Sequence, residues 1–187
     1  MMELSRILLD KITEEVKKTR KLGRGVVGFG SMLYSMGIPY NSKEAVDLMQ
    51  KTMEFIQKEA VNASTELAKD RGVFPGFKES KWDKLGLKVR NATMTSIAPT
   101  GTLSLVTDTS SGIEPIFSLV YKRSSFYQDE GKENKKKLLY VDKFFEAYAK
   151  ENGFYSEKLI EKIANNGGSL KGLSRIPKKA TKIFVTT

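Results

Sequence analysis

The stretch RNATMTSIAPTGTLS, residues 90–104, is the most informative part of the chain. Residues 94–98 are apolar or β-branched enough to predict a short strand, and Pro99 ends that strand because proline has no amide hydrogen for the ladder. The Thr-Gly-Thr sequence at 100–102 then places small residues where a helix would begin. Because the first amides of a helix have no internal partner and lie at the positive end of its dipole, this turn predicts a phosphate-binding site.

Local chemistry leaves two interpretations of this turn open. In the first, the glycine lets a diphosphate approach the backbone closely, and the hydroxyls of Thr100, Thr102 and Ser104 add uncharged donors. In the second, the same residues are an ordinary threonine-capped helix that follows a strand. The residues of the turn agree with both interpretations.

Four segments of the chain, taken in order, resemble one protein family. They are RKLGRGVVGFGSMLYSMGIPYNSKEA (residues 20–45), ELAKDRGVFPGFKES (66–80), RNATMTSIAPTGTLSLVTDTSSGIEPIF (90–117) and GFYSEKLIEKIANNGGSLKGLSRIPKKATKIFVTT (153–187). Their order and spacing resemble the C-terminal part of the catalytic domain of ribonucleotide reductase, most closely its adenosylcobalamin-dependent class (class II). The likeness covers residues 19–187.

The resemblance implies a fold and a function. The fold would be α/β, part of a ten-stranded α/β barrel of the ribonucleotide reductase type and rich in helices. Residues 1–187 would form a single segment, the C-terminal part of that catalytic barrel domain. The complete enzyme would be an oxidoreductase, an adenosylcobalamin-dependent ribonucleoside-diphosphate reductase that makes deoxyribonucleotides for DNA replication by radical chemistry. Adenosylcobalamin would bind in the complete enzyme, with no contacting residue identifiable in this chain.

The resemblance also implies the residues of the site. In the family, the Pro-Thr-Gly-Thr turn and the helix after it hold the phosphates of the substrate, chiefly through backbone amides. Carried over by position, the substrate phosphate-binding residues are Pro99, Thr100, Gly101, Thr102, Leu103 and Ser104. The implied partners are a ribonucleoside di- or triphosphate substrate, a complementary reductase segment that carries the cysteines and, in the complete enzyme, a second copy in a homodimer.

The absence of cysteine is the main departure from the family. Ribonucleotide reduction in the family uses a thiyl radical on one cysteine and a pair of redox cysteines, so no catalytic residue is predicted in this chain. We therefore interpret the chain as the phosphate-binding piece of a reductase. Its origin would be a split gene, artificially chosen ends or an inactive relic of the enzyme. The alternative function is a standalone nucleotide- or nucleic-acid-binding module.

The charge of the chain bears on its partners. Lys and Arg number 32 against 22 Asp and Glu, a net charge of +10. Such an excess is typical of proteins whose partners carry phosphates, but the lysines are scattered and lack interleaved aromatic residues, so nucleic acid is not predicted.

The composition bears on the location of the protein and on metal binding. The chain has no run of about 18 apolar residues and no signal-peptide pattern, which predicts a cytoplasmic protein with no membrane partner. Because histidine and cysteine are both absent, no metal site is predicted, and carboxylate-bound Mg²⁺ is the one metal chemistry left open.

The spacing of apolar residues predicts the remaining elements. Helices are predicted over residues 3–20, 42–71, 144–152 and 156–164. The apolar face of the first carries Leu4, Ile7, Leu8, Ile12 and Val16. Asn41 and Glu44 form a capping box that opens the long helix, and Gly72 ends it. Residues 116–121 are a second strand candidate, and the polar stretch 122–137 is interpreted as a surface loop or a sheet edge.

Two other features of the sequence are given structural roles. The glycines of residues 23–30 do not form a dinucleotide-binding fingerprint, because no strand precedes them. They predict instead a helix that packs tightly through Gly28 and Gly30, with these side chains turned inward: Val26, Phe29, Leu33 and Met36. Glu114 is interpreted as a hydrogen-bond acceptor for the backbone, Arg90 or Arg123, since a carboxylate near a diphosphate would repel it.

Overall fold

Helices dominate the computed structural model, which describes residues 9–129 and 132–187. The described elements, in chain order, are α1 (Asp10–Thr19), α2 (Phe29–Met36), α3 (Lys43–Arg71), α4 (Lys81–Lys84), α5 (Gly101–Thr107), β1 (Val120–Asp129), β2 (Lys132–Val141), α6 (Lys143–Glu151), α7 (Glu157–Asn165) and α8 (Lys178–Ile183). The predicted helix-rich character is confirmed. The sheet in the described residues has two strands, so the ten-stranded barrel stays a prediction.

The chain divides into two compact units. The first unit contains the residues up to Val26 together with Leu48–Ala98, and the second contains Val27–Asp47 and Pro99–Thr187. In residues 9–129 and 132–187, no helix is both long and apolar enough to span a membrane.

The long helix α3 matches its predicted span, apart from its cap. Asn41 was the predicted cap, and this is wrong: the hydroxyl oxygen of Ser42 accepts the amide hydrogen of Ala45 at 3.1 Å. Ser42 is the N-cap residue because a serine oxygen at the N-cap position reaches the amide three residues further along the chain. The predicted end is confirmed, since Gly72 has a left-handed backbone (φ 75°) and its amide donates to the carbonyl of Ala68 at 2.9 Å.

The first unit has a small apolar core. It is built from Ala60 of α3 with Phe74, Val89 and Met94. The indole of Trp82 packs against this core and donates to the carbonyl of Ala92 at 2.8 Å. α1 also belongs to this unit and confirms part of the helix predicted over residues 3–20. The predicted apolar positions Leu4, Ile7 and Leu8 lie outside the described residues, and of the other two Ile12 is 48% exposed and Val16 half-buried.

The strand predicted at residues 94–98 is wrong. In the described part of the chain, this segment makes one isolated parallel bridge, between Arg24 and Thr95. The backbones come close because Gly25 has no side chain: a Cβ there would lie 2.7 Å from the carbonyl oxygen of Ser96. The β propensity of the segment gives an extended backbone, but a strand also needs a neighbour along several residues.

The helix α2 confirms the predicted glycine-bearing helix. Phe29 and Leu33 are buried and Val26 is half-buried, as predicted. Met36 is 54% exposed, so its predicted inward position is wrong. The reason is that α2 ends at Met36, where Gly37 turns the chain with a left-handed backbone (φ 71°).

A β-hairpin occupies the region predicted as a strand at 116–121 and a loop at 122–137. β1 begins only at Val120 and pairs antiparallel with β2. The predicted limits of the strand and the loop interpretation are therefore wrong, and the interpretation as a sheet edge agrees with the hairpin. β1 begins late because the amide of Leu119 donates outside the hairpin, to the carbonyl of Gly168 at 2.8 Å. A polar stretch can form this hairpin because antiparallel strands can face water and need no apolar run.

The core of the second unit is aromatic and aliphatic. Phe145 of α6 is fully buried, and its ring centroid lies 5.3 Å from that of Phe184 and 6.3 Å from that of Phe154. Helices α6 and α7 confirm the two predicted C-terminal helices. Each is capped by a side chain, of Asp142 or Ser156, whose oxygen accepts amide hydrogens from the first turn.

Candidate functional site

The predicted phosphate turn lies at the start of α5, in the second unit. Thr100 is the N-cap residue and has a left-handed backbone (φ 50°), which costs a β-branched residue roughly 1–2 kcal/mol. Its hydroxyl oxygen accepts the amide hydrogen of Gly112 at 2.7 Å. This hydrogen bond holds the strained residue and so fixes the direction of the amides that follow it.

The amides of Gly101, Thr102 and Leu103 come directly after this cap. All three residues are exposed, and within the described part of the chain no hydrogen bond uses their amides. A Cβ placed on Gly101 would meet no atom within 4 Å. The start of α5 is therefore open to a ligand, and its amides are the kind of donor that phosphate binds at helix ends.

Ser104 differs from the exposed residues before it. Its side chain is buried, and its Oγ donates to the carbonyl of Gly101 at 2.7 Å and lies 3.0 Å from Oγ of Ser111. The apolar side chains of α5 are exposed instead, Leu103 to 59% and Val106 to 80%. The turn thus brings all six predicted site residues together, and their contact with phosphate stays a prediction.

A loop of three residues, Ser110–Gly112, forms hydrogen bonds both with α5 and with the start of α2. The amide of Ser110 donates to Oγ of Ser31 at 2.8 Å, and the amide of Ser31 donates to Oγ of Ser110 at 3.1 Å. The carbonyl of Gly112 accepts the amide hydrogen of Phe29 at 3.2 Å. These contacts are not predictable from the sequence, because the hydroxyl-bearing run before Gly112 does not indicate which residue, 79 positions away, it will contact.

The tight packing predicted for Gly28 and Gly30 is confirmed. Gly28 has a left-handed backbone (φ 84°). A Cβ on Gly30 would lie 2.9 Å from the carbonyl oxygen of Glu114 and 3.1 Å from Oγ of Ser110. The first turn of α2 therefore touches the loop closely, and a side chain at Gly30 would push the two apart.

We expect Gly30→Ala to lower the free energy of unfolding by about 1–3 kcal/mol, because the added methyl overpacks this contact. Urea unfolding followed by circular dichroism measures the change. Gly101→Ala is the matched control, because an added methyl there meets no atom within 4 Å. Equal unfolding midpoints for the two variants would contradict the close packing.

An open cavity of about 430 Å³ lies beside the other end of α5. Asp108, the C-cap residue, accepts hydrogen bonds from Nζ of Lys143 through its carbonyl at 2.6 Å and its carboxylate at 2.8 Å. Burial raises the pKa of the neighbouring Asp142 carboxyl, an effect that the amides of α6 partly offset. Because the cavity is lined by two carboxylates, it suits a phosphate less well than the amide-rich start of α5.

Glu114 keeps its structural interpretation. Burial, and to a smaller extent the Glu114 carboxylate, raises the pKa of Tyr40. Of its two predicted partners, Arg90 donates to the carbonyl of Arg71 at 2.7 Å, and the side chain of Arg123 lies outside those described. The role of Glu114 as an acceptor stays a prediction. The described residues contain no cluster of three or more His, Cys, Asp or Glu that could hold a metal ion.

Comparisons with known proteins add independent information. A family model described as "Ribonucleotide reductase, barrel domain" matches residues 1–89 and 86–187. The vitamin B12-dependent ribonucleoside-diphosphate reductase of Thermoplasma acidophilum is 42% identical over 186 residues, which cover 100% of this chain and 23% of that protein. The reductase of the same name from Mycobacterium tuberculosis is 39% identical, covering 100% of this chain and 25% of its own length.

A solved structure is similar as well. The Actinobacillus ureae class Id ribonucleotide reductase alpha subunit matches with a TM-score of 0.77 and 27% identity, over 99% of this chain and 31% of that one. The chain spans about a quarter of the length of the curated relatives it matches.

Proposed function

The chain belongs to the ribonucleotide reductase barrel-domain family, and from this premise we propose that it forms the substrate-phosphate-binding part of an adenosylcobalamin-dependent ribonucleoside-diphosphate reductase. The complete enzyme converts ribonucleotides to deoxyribonucleotides by radical chemistry. Because this chain has no cysteine, the thiyl radical and the redox cysteines belong to a complementary reductase segment, and the role of this chain is to bind and orient the substrate.

One observation carries the proposal: three successive amides, of Gly101, Thr102 and Leu103, are exposed at a turn over which there is open space. Amides at a helix start are fixed donors at the positive end of the dipole, so they can hold a phosphate without a lysine. Several such donors on one diphosphate fix its orientation as well as its position. Binding the phosphates in this way would hold the ribose at a constant distance from the turn.

The hydroxyl groups of the turn have separate tasks in this proposal. Thr102 is exposed and its hydroxyl is available to a phosphate oxygen. The hydroxyl oxygen of Thr100 accepts a hydrogen bond from Gly112, and its own hydrogen remains able to donate. Pro99, which is exposed, ends the extended segment and sets the entry into the turn.

Family membership supports a proposal for the cofactor and the assembly. Adenosylcobalamin would supply the radical in the proposed enzyme, and no residue of this chain is assigned to its binding. We further propose that residues 1–187 form one segment of a ten-stranded barrel, that a complementary segment completes it, and that the complete enzyme is a cytoplasmic homodimer. The substrate is a ribonucleoside di- or triphosphate.

Salt dependence tests this function against nucleic-acid binding. We expect the affinity of the 187-residue chain for cytidine diphosphate to fall less than about tenfold between 50 and 200 mM salt, because backbone amides displace few counterions. An oligonucleotide bound through about six phosphates would lose roughly a thousandfold over the same range. Isothermal titration calorimetry with both ligands measures the two slopes. Tight, steeply salt-dependent binding of the oligonucleotide without binding of the diphosphate would favour the nucleic-acid module.

A further inference from the structure

We infer that Ser31, on α2, is a positioning residue for the phosphate turn, acting through the loop Ser110–Gly112. The inference rests on the proposed function, because the turn has to be held still only if it binds a ligand. Ser31 itself touches neither the turn nor the space above Gly101. Its effect passes through two sets of hydrogen bonds, one on each side of the loop.

The first step is that α5 cannot hold its own position. It has seven residues, and isolated helices shorter than about 12 residues are marginal in water. Its apolar side chains do not anchor it, since Leu103, Leu105 and Val106 are all exposed. Its one buried residue is Ser104. The helix therefore depends on hydrogen bonds to neighbouring segments.

The second step is that two of these hydrogen bonds go to consecutive loop residues. Oγ of Ser104 lies 3.0 Å from Oγ of Ser111, and the hydroxyl oxygen of Thr100 accepts the amide hydrogen of Gly112 at 2.7 Å. The cap and the first turn of α5 are thus both tied to residues 111–112. A shift of the loop would carry the amides of the phosphate turn with it.

The third step is that α2 holds the loop. The amide of Ser110 donates to Oγ of Ser31 at 2.8 Å, the amide of Ser31 donates back to Oγ of Ser110 at 3.1 Å, and the amide of Gly28 donates to the carbonyl of Ser110 at 2.9 Å. α2 is itself fixed in the core of the second unit, where Leu33 is fully buried and the hydroxyl of Tyr34 donates to the carbonyl of Val185 at 2.7 Å. α2 is therefore the rigid reference for the loop.

Burial makes Ser31 the sensitive point of this connection. Its exposed fraction is 4%, and it lies at the wall of the open cavity of about 430 Å³. Ser31→Ala leaves the amide of the half-buried Ser110 without its acceptor, and a donor that is partly shielded from water loses more free energy on losing its partner than an exposed one does. The loop would then shift or fluctuate, and the amides of residues 101–103 would lose their common direction.

The test compares Ser31→Ala with Ser35→Ala in the 187-residue chain. Ser35 is the matched control, an exposed serine of the same helix whose hydroxyl bonds only to the carbonyl of Met32. We expect Ser31→Ala to weaken cytidine diphosphate binding about five- to tenfold and to speed hydrogen exchange at residues 104–107, while the core around Phe145 keeps its protection. Ser35→Ala should change neither. Ser31→Thr, which restores the hydroxyl, should recover both.

The outcomes separate this inference from the proposed function. If the unchanged chain binds the diphosphate and Ser31→Ala alters neither this binding nor the hydrogen exchange of α5, the role of Ser31 alone is overturned. Absence of diphosphate binding by the unchanged chain, both alone and in its complex with a complementary reductase segment, overturns both proposals. Should Ser31→Ala not fold, Ser110→Ala carries the same test from the other side of the hydrogen-bonded pair. A merely structural role would lower protection throughout the second unit, and that result also overturns the inference.

Discussion

Gly101→Val is expected to weaken the binding of a ribonucleoside diphosphate more than tenfold, or about 1.4 kcal/mol. The space above Gly101 is empty in the structure, with no atom within 4 Å of a Cβ placed there. A Cβ at this position therefore meets no neighbouring atom in the free protein, and the methyl groups of valine would occupy the volume in which the phosphate would lie. Calorimetric titration with cytidine diphosphate, on the chain and on its complex with a complementary reductase segment, measures the loss.

Two further variants make the result specific to the site. Leu105→Val places a β-branched residue in the same short helix, beyond the first turn, and should leave affinity within about twofold because it costs helix propensity alone. Gly101→Ala should give an intermediate loss of affinity while leaving the fold intact. Equal affinity for Gly101→Val and the unchanged chain would remove the phosphate turn as the basis of the proposed function.

Phe145→Ala should have the largest effect on stability, lowering the free energy of unfolding by about 3–5 kcal/mol. The ring is fully buried and makes edge contacts with Phe154 and Phe184. Removing it leaves a cavity that the surrounding helices can fill only partly. Phe117→Ala is the control, because Phe117 is 65% exposed and surface changes usually stay within about 0.5 kcal/mol.

Chemical denaturation of the three proteins measures this difference. A loss of 3–5 kcal/mol is a large part of the stability of a typical domain, so Phe145→Ala should be partly unfolded near body temperature. Similar unfolding curves for Phe145→Ala and Phe117→Ala would show that the aromatic cluster contributes little to the second unit.

Sequence patterns predicted the helices of this protein better than its extended segments. The long helix α3 was found because its apolar residues repeat over many turns and Gly72 marks its end. The cap was misplaced by one residue, since Asn41 and Ser42 are both good caps and only the chain geometry selects between them. The hairpin of β1 and β2 was missed because strand pairing depends on residues far apart in sequence, which periodicity does not report.

The candidate site shows the same division between local and distant information. The turn at 99–104 could be predicted, because glycine and hydroxyl residues at a helix start are a local pattern. The bonds of Ser110 to Ser31 could not, since they join residues 79 positions apart. The strained backbone of Thr100 also had no sequence signal, because glycine or asparagine is the usual residue with that geometry.

Helix α5 places its apolar side chains outward and a polar one inward, the reverse of an ordinary surface helix. Leu103, Leu105 and Val106 meet solvent, while the small polar Ser104 faces inward. Such an arrangement is unfavourable for a chain without a partner in water, because folding does not remove these apolar side chains from water and so yields no hydrophobic stabilisation from them. The isolated chain exposes a stripe of apolar side chains on α5 beside the turn. Concentrated samples should therefore self-associate unless a complementary protein surface covers this stripe.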